Sequence, residues 1–315
     1  MQRIVFLDQA SLPVPLPPVT FPHVWVSYPA TRAEERAVRL QGASIAVVNK
    51  VRMDAELLAA LPDLRMIALA ATGSDNIDLQ ACQERGIAVS NIRDYALDSV
   101  PEHALAMLFA LRRALPHYRQ AMQQGEWQQA GQFCLFGPPL LDVAGSRLGI
   151  VGHGSLGQAL ARKAQALGMQ VWFAERKGAV RCRPGYHPFD EVLQQCDAIS
   201  LHCPLTPETR HLIGARELAL MPRHAIVLNT ARGALIEPHA LLQALRAGRL
   251  GGAGIDVLPE EPPIHGHPLL EAALPNLLVT PHVAWASQQA MQQLAIQLVE
   301  NLHAFWAGER LRRLV

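Results

Sequence analysis

The stretch "GIVGHGSLGQALA", residues 149–161, decides how the rest of the chain is read. An apolar run, "SRLGIVG" (146–152), leads into Gly152-x-Gly154-x-x-Gly157 and then into residues of helical character. Gly152 permits a tight turn at the strand end, Gly154 lets a pyrophosphate reach the backbone, and Gly157 lets helix and sheet close on each other. Ser155 and Leu156 open the helix, whose first N–H groups point at such an anion. An acid, Glu175, stands 18 residues past Gly157, at the end of the next strand-like run "QVWFAE" (170–175). That is where an acceptor for a ribose hydroxyl belongs, so the spacing predicts a dinucleotide-binding βαβ unit.

The same alternation extends in both directions. Before it lie the strand-like runs "RIVFLD" (3–8), "VWVSY" (24–28), "SIAVVNK" (44–50), "MIALAAT" (66–72) and "IAVSN" (87–91), separated by helical stretches near 31–41, 54–60 and 78–85. After it come "AISLHC" (198–203), "AIVLNTA" (225–231), "GAGID" from Gly252 to Asp256 and "LLVTP" (277–281). Strands and helices in turn predict parallel α/β layers, and 315 residues suggest two domains. A single amphipathic helix is expected from Val100 to Gln124 with Pro101 in its first turn, and a closing helix from Ser287 to about Gly308.

Composition removes several classes of function. With 28 basic against 27 acidic residues the chain has no field for nucleic acid or an anionic membrane. Its longest apolar helical run, "ALAMLFAL" (104–111), is too short to span a bilayer. The start "MQRIVFLDQA" reads as a strand and not as a signal peptide. The cysteines are odd in number and match no zinc spacing, which predicts reduced thiols, no metal site and a cytoplasmic protein.

Ligands of an open parallel sheet bind outside the carboxyl ends of its strands. Arg232 follows the run at 225–231, Glu261 lies in "DVLPEEPP" past Asp256, and His282 lies in "TPHVAWAS" past Val279. Taken singly, His282 reads as a turn residue, Arg232 as half of a structural ion pair and Glu261 as a solvated loop charge. Their shared edge beside the glycine turn makes them a site. Arginine forks onto a carboxylate, histidine moves a proton near neutral pH, and a neighbouring carboxylate steadies the imidazolium. With a nicotinamide exchanging hydride, such a trio interconverts a 2-keto acid and a 2-hydroxy acid.

Six motifs, "ATGSDNID" (71–78), "GIVGHGSLG" (149–157), "LHCPLTPETRHLI" (201–213), "LNTARGALI" (228–236), "GIDVLPEEPP" (254–263) and "TPHVAWAS" (280–287), resemble the D-isomer-specific 2-hydroxyacid dehydrogenase family over nearly the whole chain. The resemblance implies a flavodoxin-like substrate domain (1–98 plus 286–315) and a Rossmann cofactor domain (99–285), both doubly wound, with a cleft between them and a homodimer. It implies Arg232 as substrate anchor and Glu261 with His282 as the proton-transfer pair. Thr72 and Gly73 would lie in a loop whose N–H groups meet the substrate carboxylate. His202, Cys203 and Pro204 would line the adenine side, with Thr230, Ala231 and Asp256 on the nicotinamide side. "HVAWAS" and the pair Asn49–Lys50 most resemble members acting on hydroxypyruvate and D-glycerate, with glyoxylate and glycolate as a second pair. Lactate-type and phosphite dehydrogenases, and a dinucleotide-sensing corepressor without activity, are the alternatives. The cofactor is expected to be NAD, because Glu175 closes the strand and its charge repels a 2′-phosphate. NADP stays possible, since Arg176 and Lys177 follow at once and can clasp that phosphate.

Overall fold

The computed structural model describes all of residues 1–315. The chain divides into two compact units, Met1–Tyr95 with Ala286–Val315, and Ala96–Trp285. In the first, strands β1 (Gln2–Phe6), β2 (His23–Ser27), β3 (Ile45–Val48), β4 (Met66–Leu69) and β5 (Ala88–Ser90) form one parallel sheet in the order β2-β1-β3-β4-β5. Every residue of β3 and β4 is buried, so these strands read as continuous apolar runs, as a parallel sheet covered on both faces requires. Asp54 and Asp78 cap the helices Ala55–Ala59 and Leu79–Glu84, accepting from the N–H groups of Leu57 and Ala81. The closing helix, Gln288–Trp306, belongs to this unit too. It buries Leu294, Leu298 and Leu302, while Gln297 and Asn301 donate to the carbonyls of Arg93 and Asn91 just past β5.

The second unit holds β6 (Arg147–Val151), β7 (Gln170–Ala174), β8 (Tyr186–His187), β9 (Ala198–Leu201), β10 (Ile226–Asn229), β11 (Gly252–Ile255) and β12 (Leu277–Val279). Their order is β12-β11-β10-β9-β6-β7-β8, parallel throughout. This is the doubly wound order of dinucleotide-binding sheets, and its direction reverses between β6 and β9. The helix Ser155–Ala166 covers the sheet with Gly157, Leu160, Ala161 and Ala164, one face at helical spacing. Helix Ser99–Arg112 adds Ala104, Leu105, Met107 and Leu108 to the same core. No helix of the chain is long and apolar enough to cross a membrane.

The helix expected to run unbroken from Val100 to Gln124 is two helices, Ser99–Arg112 and Leu115–Gln123. Pro116 is the cause. It has no N–H to offer the carbonyl of Arg112, four residues back, and that carbonyl accepts from Leu141 instead, at 3.1 Å. The chain turns at Ala114 with φ +49°, a left-handed conformation that costs an L-residue about 1 kcal/mol. The two-residue strand β8 was also not foreseen, being too short to show any alternation.

The broken helix gives a substitution of opposite sign to the usual rule. Ala114→Gly should raise the unfolding free energy in urea, by up to about 1 kcal/mol, because it releases left-handed strain. In a continuous helix the same change would lower it by about as much.

Candidate active site

Because the strands are parallel, the loops after β6, β9, β10, β11 and β12 all open on one edge of the second sheet. The glycine turn lies at its switch point. A Cβ on Gly157 would stand 2.1 Å from the Gly152 carbonyl oxygen, and one on Gly152 would stand 2.5 Å from the carbonyl oxygen of His202 after β9. These two glycines are therefore needed for close approach of backbone to backbone. Gly154 differs, since a Cβ there meets nothing within 4 Å. Gly154 is also the N-cap of helix Ser155–Ala166 and supplies no side-chain oxygen to its first turn. The helix thus presents bare N–H groups from Ser155 and Leu156 to open space, the environment a pyrophosphate occupies.

Beyond the turn, His202 Nε2 lies 2.9 Å from Ser200 Oγ, and enclosure of the ring pushes its pKa down to about 4. His202 is neutral at physiological pH. Burial pushes the Cys203 thiol up to about 11, so it packs as a thiol beside the exposed Pro204. Thr230 is buried with its Oγ1 lacking any hydrogen-bond partner, next to Ala231 at the end of β10. An open glycine cradle, a bare helix N-terminus and this orphan hydroxyl fit a nicotinamide dinucleotide.

Arg232 is held by its own loop. Asn229, wholly buried, donates from Nδ2 to the Arg232 carbonyl at 2.9 Å and accepts at Oδ1 from Ala231 N–H at 3.1 Å. The next residue is Gly233, where a Cβ would come within 2.0 Å of the Leu258 carbonyl carbon. The Arg232 loop and the loop carrying Glu261 therefore touch backbone to backbone. Glu261 in turn accepts the Leu258 N–H on Oε1 at 2.8 Å, leaving Oε2 to meet His282 Nδ1 at 2.6 Å. Both side chains are partly exposed, His282 at 24% and Glu261 at 34%, so the pair opens to solvent and to a ligand.

His282 sits at φ +55°, an unusual value for histidine, and the cause is Asp256. The Asp256 carbonyl accepts the His282 N–H at 2.7 Å. Its carboxylate takes the Thr280 hydroxyl, the Val283 N–H at 3.0 Å and the Ala284 N–H at 2.9 Å. His103 Nε2 approaches the Thr280 hydroxyl at 3.0 Å from the helix Ser99–Arg112. Trp285 Nε1 closes the turn on the His282 carbonyl, also at 3.0 Å. The Asp256 carboxylate thus positions the histidine turn, mainly through Oδ1, while Oδ2 accepts from the Ala284 N–H alone.

Glu175 stands at the end of β7, and its carboxylate is already occupied. Oε1 accepts from Arg176 N–H at 2.8 Å and Arg183 Nη2 at 2.7 Å; Oε2 accepts from Arg183 N–H at 3.0 Å and Arg183 Nε at 2.8 Å. Arg183 did not enter the sequence reading, because nothing in the eight-residue spacing shows that the loop folds back. Lys177 turns the other way, to Glu217 Oε1 at 3.0 Å, while the Arg176 side chain is exposed. Asn49 and Lys50 follow β3 in the first unit, where Asp8 accepts both their N–H groups and that of Val51. The Asn49 side chain donates to Ser11, and Lys50 is exposed. Thr72 and Gly73 follow β4, with the Thr72 hydroxyl donating to the Ile92 carbonyl at 2.7 Å.

The second sheet thus joins an open glycine turn to a hydrogen-bonded histidine–glutamate pair and an arginine, an arrangement that suits a nicotinamide-dependent oxidoreductase. Residues 105–284 match the family model described as D-isomer specific 2-hydroxyacid dehydrogenase, NAD binding domain. The chain is 50% identical over 309 residues to a glycerate dehydrogenase of Methylorubrum extorquens, covering 98% of this chain and 97% of that one. It belongs to the D-isomer specific 2-hydroxyacid dehydrogenase family and is an NAD(P)-dependent oxidoreductase. A hydroxypyruvate reductase of Blautia hydrogenotrophica is 37% identical, with 88% of this chain and 87% of that one covered. Among solved structures, an NADPH-dependent glyoxylate/hydroxypyruvate reductase of Sinorhizobium meliloti superposes with a TM-score of 0.81 at 27% identity, covering 100% of this chain and 98% of that one.

The Arg183 fork, with the two backbone N–H groups, holds the Glu175 carboxyl down to about 2, from an ordinary value of 4.5. A carboxyl depressed by folding stabilises the fold above its unfolded value and loses that contribution as pH falls. Wild type and Glu175→Gln should therefore differ most in urea stability at neutral pH. The gap should close between pH 4.5 and about 2. A gap independent of pH would mean that the substitution acts through packing.

Proposed function

We propose that the protein reduces hydroxypyruvate to D-glycerate, with glyoxylate as a second substrate, using Arg232, Glu261 and His282. The observation that carries the reading is the 2.6 Å contact between His282 Nδ1 and Glu261 Oε2, on the sheet edge that also holds Arg232 and the glycine turn. The names of the relatives give the substrate class its support. Bound NAD(P)H supplies the hydride. Arg232 takes the substrate carboxylate on its planar fork and so orients the keto group. With Nδ1 held by Glu261, the other ring nitrogen of His282 gives its proton to the carbonyl oxygen as that oxygen becomes a hydroxyl. Glu261 steadies the charged ring before transfer and lets it recover a proton afterwards. The second unit is the cofactor domain in this reading, and the first, with Asn49, Lys50, Thr72 and Gly73, is the substrate domain.

The same reading makes the protein a cytoplasmic homodimer that binds neither nucleic acid nor membrane. All five cysteines are unpaired, as a reducing compartment favours. After the break at Ala114 the chain exposes Leu115 at 55%, Trp127 at 48%, Phe133 at 94% and Phe136 at 86%. So much exposed apolar surface on one segment suits cover by a second copy. A protein that sediments as a monomer at micromolar concentration would remove that part.

Initial rates over a panel of 2-keto acids test the substrate. Hydroxypyruvate should give the highest kcat/KM, with glyoxylate second and pyruvate far behind. His282→Ala should lower kcat by about 10²–10⁴ with little change in NAD(P)H affinity. A variant keeping half its kcat would make the histidine structural. Arg232→Lys keeps the charge and loses the fork, so KM for the keto acid should rise strongly. Equal KM values would place the carboxylate elsewhere.

A further inference from the structure

The acid at the end of β7 is where a dinucleotide sheet normally holds the adenosine ribose, and here it has nothing left to hold it with. A carboxylate offers about four lone-pair positions. Glu175 receives four hydrogen bonds from protein donors, three of them from Arg183. Its side chain is 4% exposed. Its charge is met by the guanidinium at 2.7 Å, so it repels a nearby anion far less than a lone carboxylate would.

Arg183 is the reverse case. Its side chain is 52% exposed, and the guanidinium lies 3.9 Å over the ring of Tyr186. The fork on Glu175 uses the edge formed by Nε and Nη2. Of the five N–H groups a guanidinium carries, both on Nη1 and the second on Nη2 stay uncommitted. Tyr186 itself packs against His153, the residue between Gly152 and Gly154, with ring centroids 5.4 Å apart. The guanidinium is thus fixed from below by a carboxylate and across its face by a ring that leans on the glycine turn. The loop Arg176–Arg183 has four basic residues and no acid; Lys177 is drawn to Glu217, and Arg176, whose N–H meets the same carboxylate as that of Arg183, has an exposed side chain.

We propose that Arg183, seated on Glu175, selects the cofactor by taking the 2′-phosphate of NADPH, so that the protein favours NADPH over NADH. This rests on the glycine turn being the dinucleotide site and not on the choice of keto acid. Glu175 acts through Arg183 as a positioning residue, aiming a pre-formed fork at the phosphate. The expectation of an NAD preference assumed an unpaired Glu175, and the loop that removes this premise is eight residues long.

The test is direct binding, followed by the fluorescence of the reduced nicotinamide with no keto acid present, so a wrong substrate would not affect it. Wild type should bind NADPH roughly 10- to 100-fold tighter than NADH, the range expected for charge-assisted bonds to one phosphate. Arg183→Gln should bring the two affinities within about threefold by losing NADPH binding alone. Arg181→Gln, an exposed arginine on the same loop, should keep the wild-type ratio. The ratio of kcat/KM for the two cofactors with hydroxypyruvate should follow the binding ratio in all three proteins. Equal or tighter binding of NADH by wild type would overturn the proposal. So would a ratio unchanged in Arg183→Gln, or one lost equally in Arg181→Gln, which would reduce the effect to loop charge. The wild-type comparison stands even if a variant fails to fold, which circular dichroism would show.

Discussion

Asp256 is 1% exposed, and all three donors to its carboxylate come from residues 280–284 of the next loop. A buried carboxylate is tolerable only when it is hydrogen-bonded, and here those hydrogen bonds bend the chain after β12 into a single turn. That turn puts His282 at φ +55°, a conformation the segment would not keep by itself. His282 is therefore placed by a buried carboxylate at the end of the neighbouring strand. Its partner Glu261 comes from the loop of the same strand as Asp256, so histidine and glutamate are held from one strand end.

Backbone contact at glycine does the equivalent work between neighbouring loops. Gly233 lets the Arg232 loop lie directly on Leu258 and Pro259, and Gly152 lets the cradle lie on His202. Both contacts bring together loops of neighbouring strands at their carboxyl ends. The edge of the sheet is in consequence a row of loops locked pairwise, which suits a reaction whose geometry tolerates little drift.

Much of this could be read from residues alone. A parallel sheet exposes one set of strand ends, so Arg232, Glu261 and His282 could be placed on one edge without coordinates, and the glycine spacing located the cradle. What could not be read depends on contacts between segments. Pro116 was visible, but the break it causes is sealed by Leu141, 25 residues later. Asp256 could be located at a strand end, yet whether its carboxylate faced a ligand or the next loop depended on the course of that loop. Glu175 was placed correctly at the end of its strand, while the arginine that occupies it arrives from a turn with no periodicity to betray it. Position along a strand is legible; possession of a side chain's hydrogen bonds is settled by whichever segment reaches it.

The closing helix carries a consequence for the order in which the molecule comes into being. Its residues Gln297 and Asn301 satisfy carbonyls just beyond β5, Leu314 donates its N–H to Val89, and all of the second unit lies between these partners in the chain. As the polypeptide leaves the ribosome, the second unit is complete once Trp285 has emerged and can fold as a body. The segment Met1–Tyr95 emerges earlier but must wait with one flank of its sheet uncovered until residues 286–315 are made. The unit whose strands are made first is closed after the unit made in between.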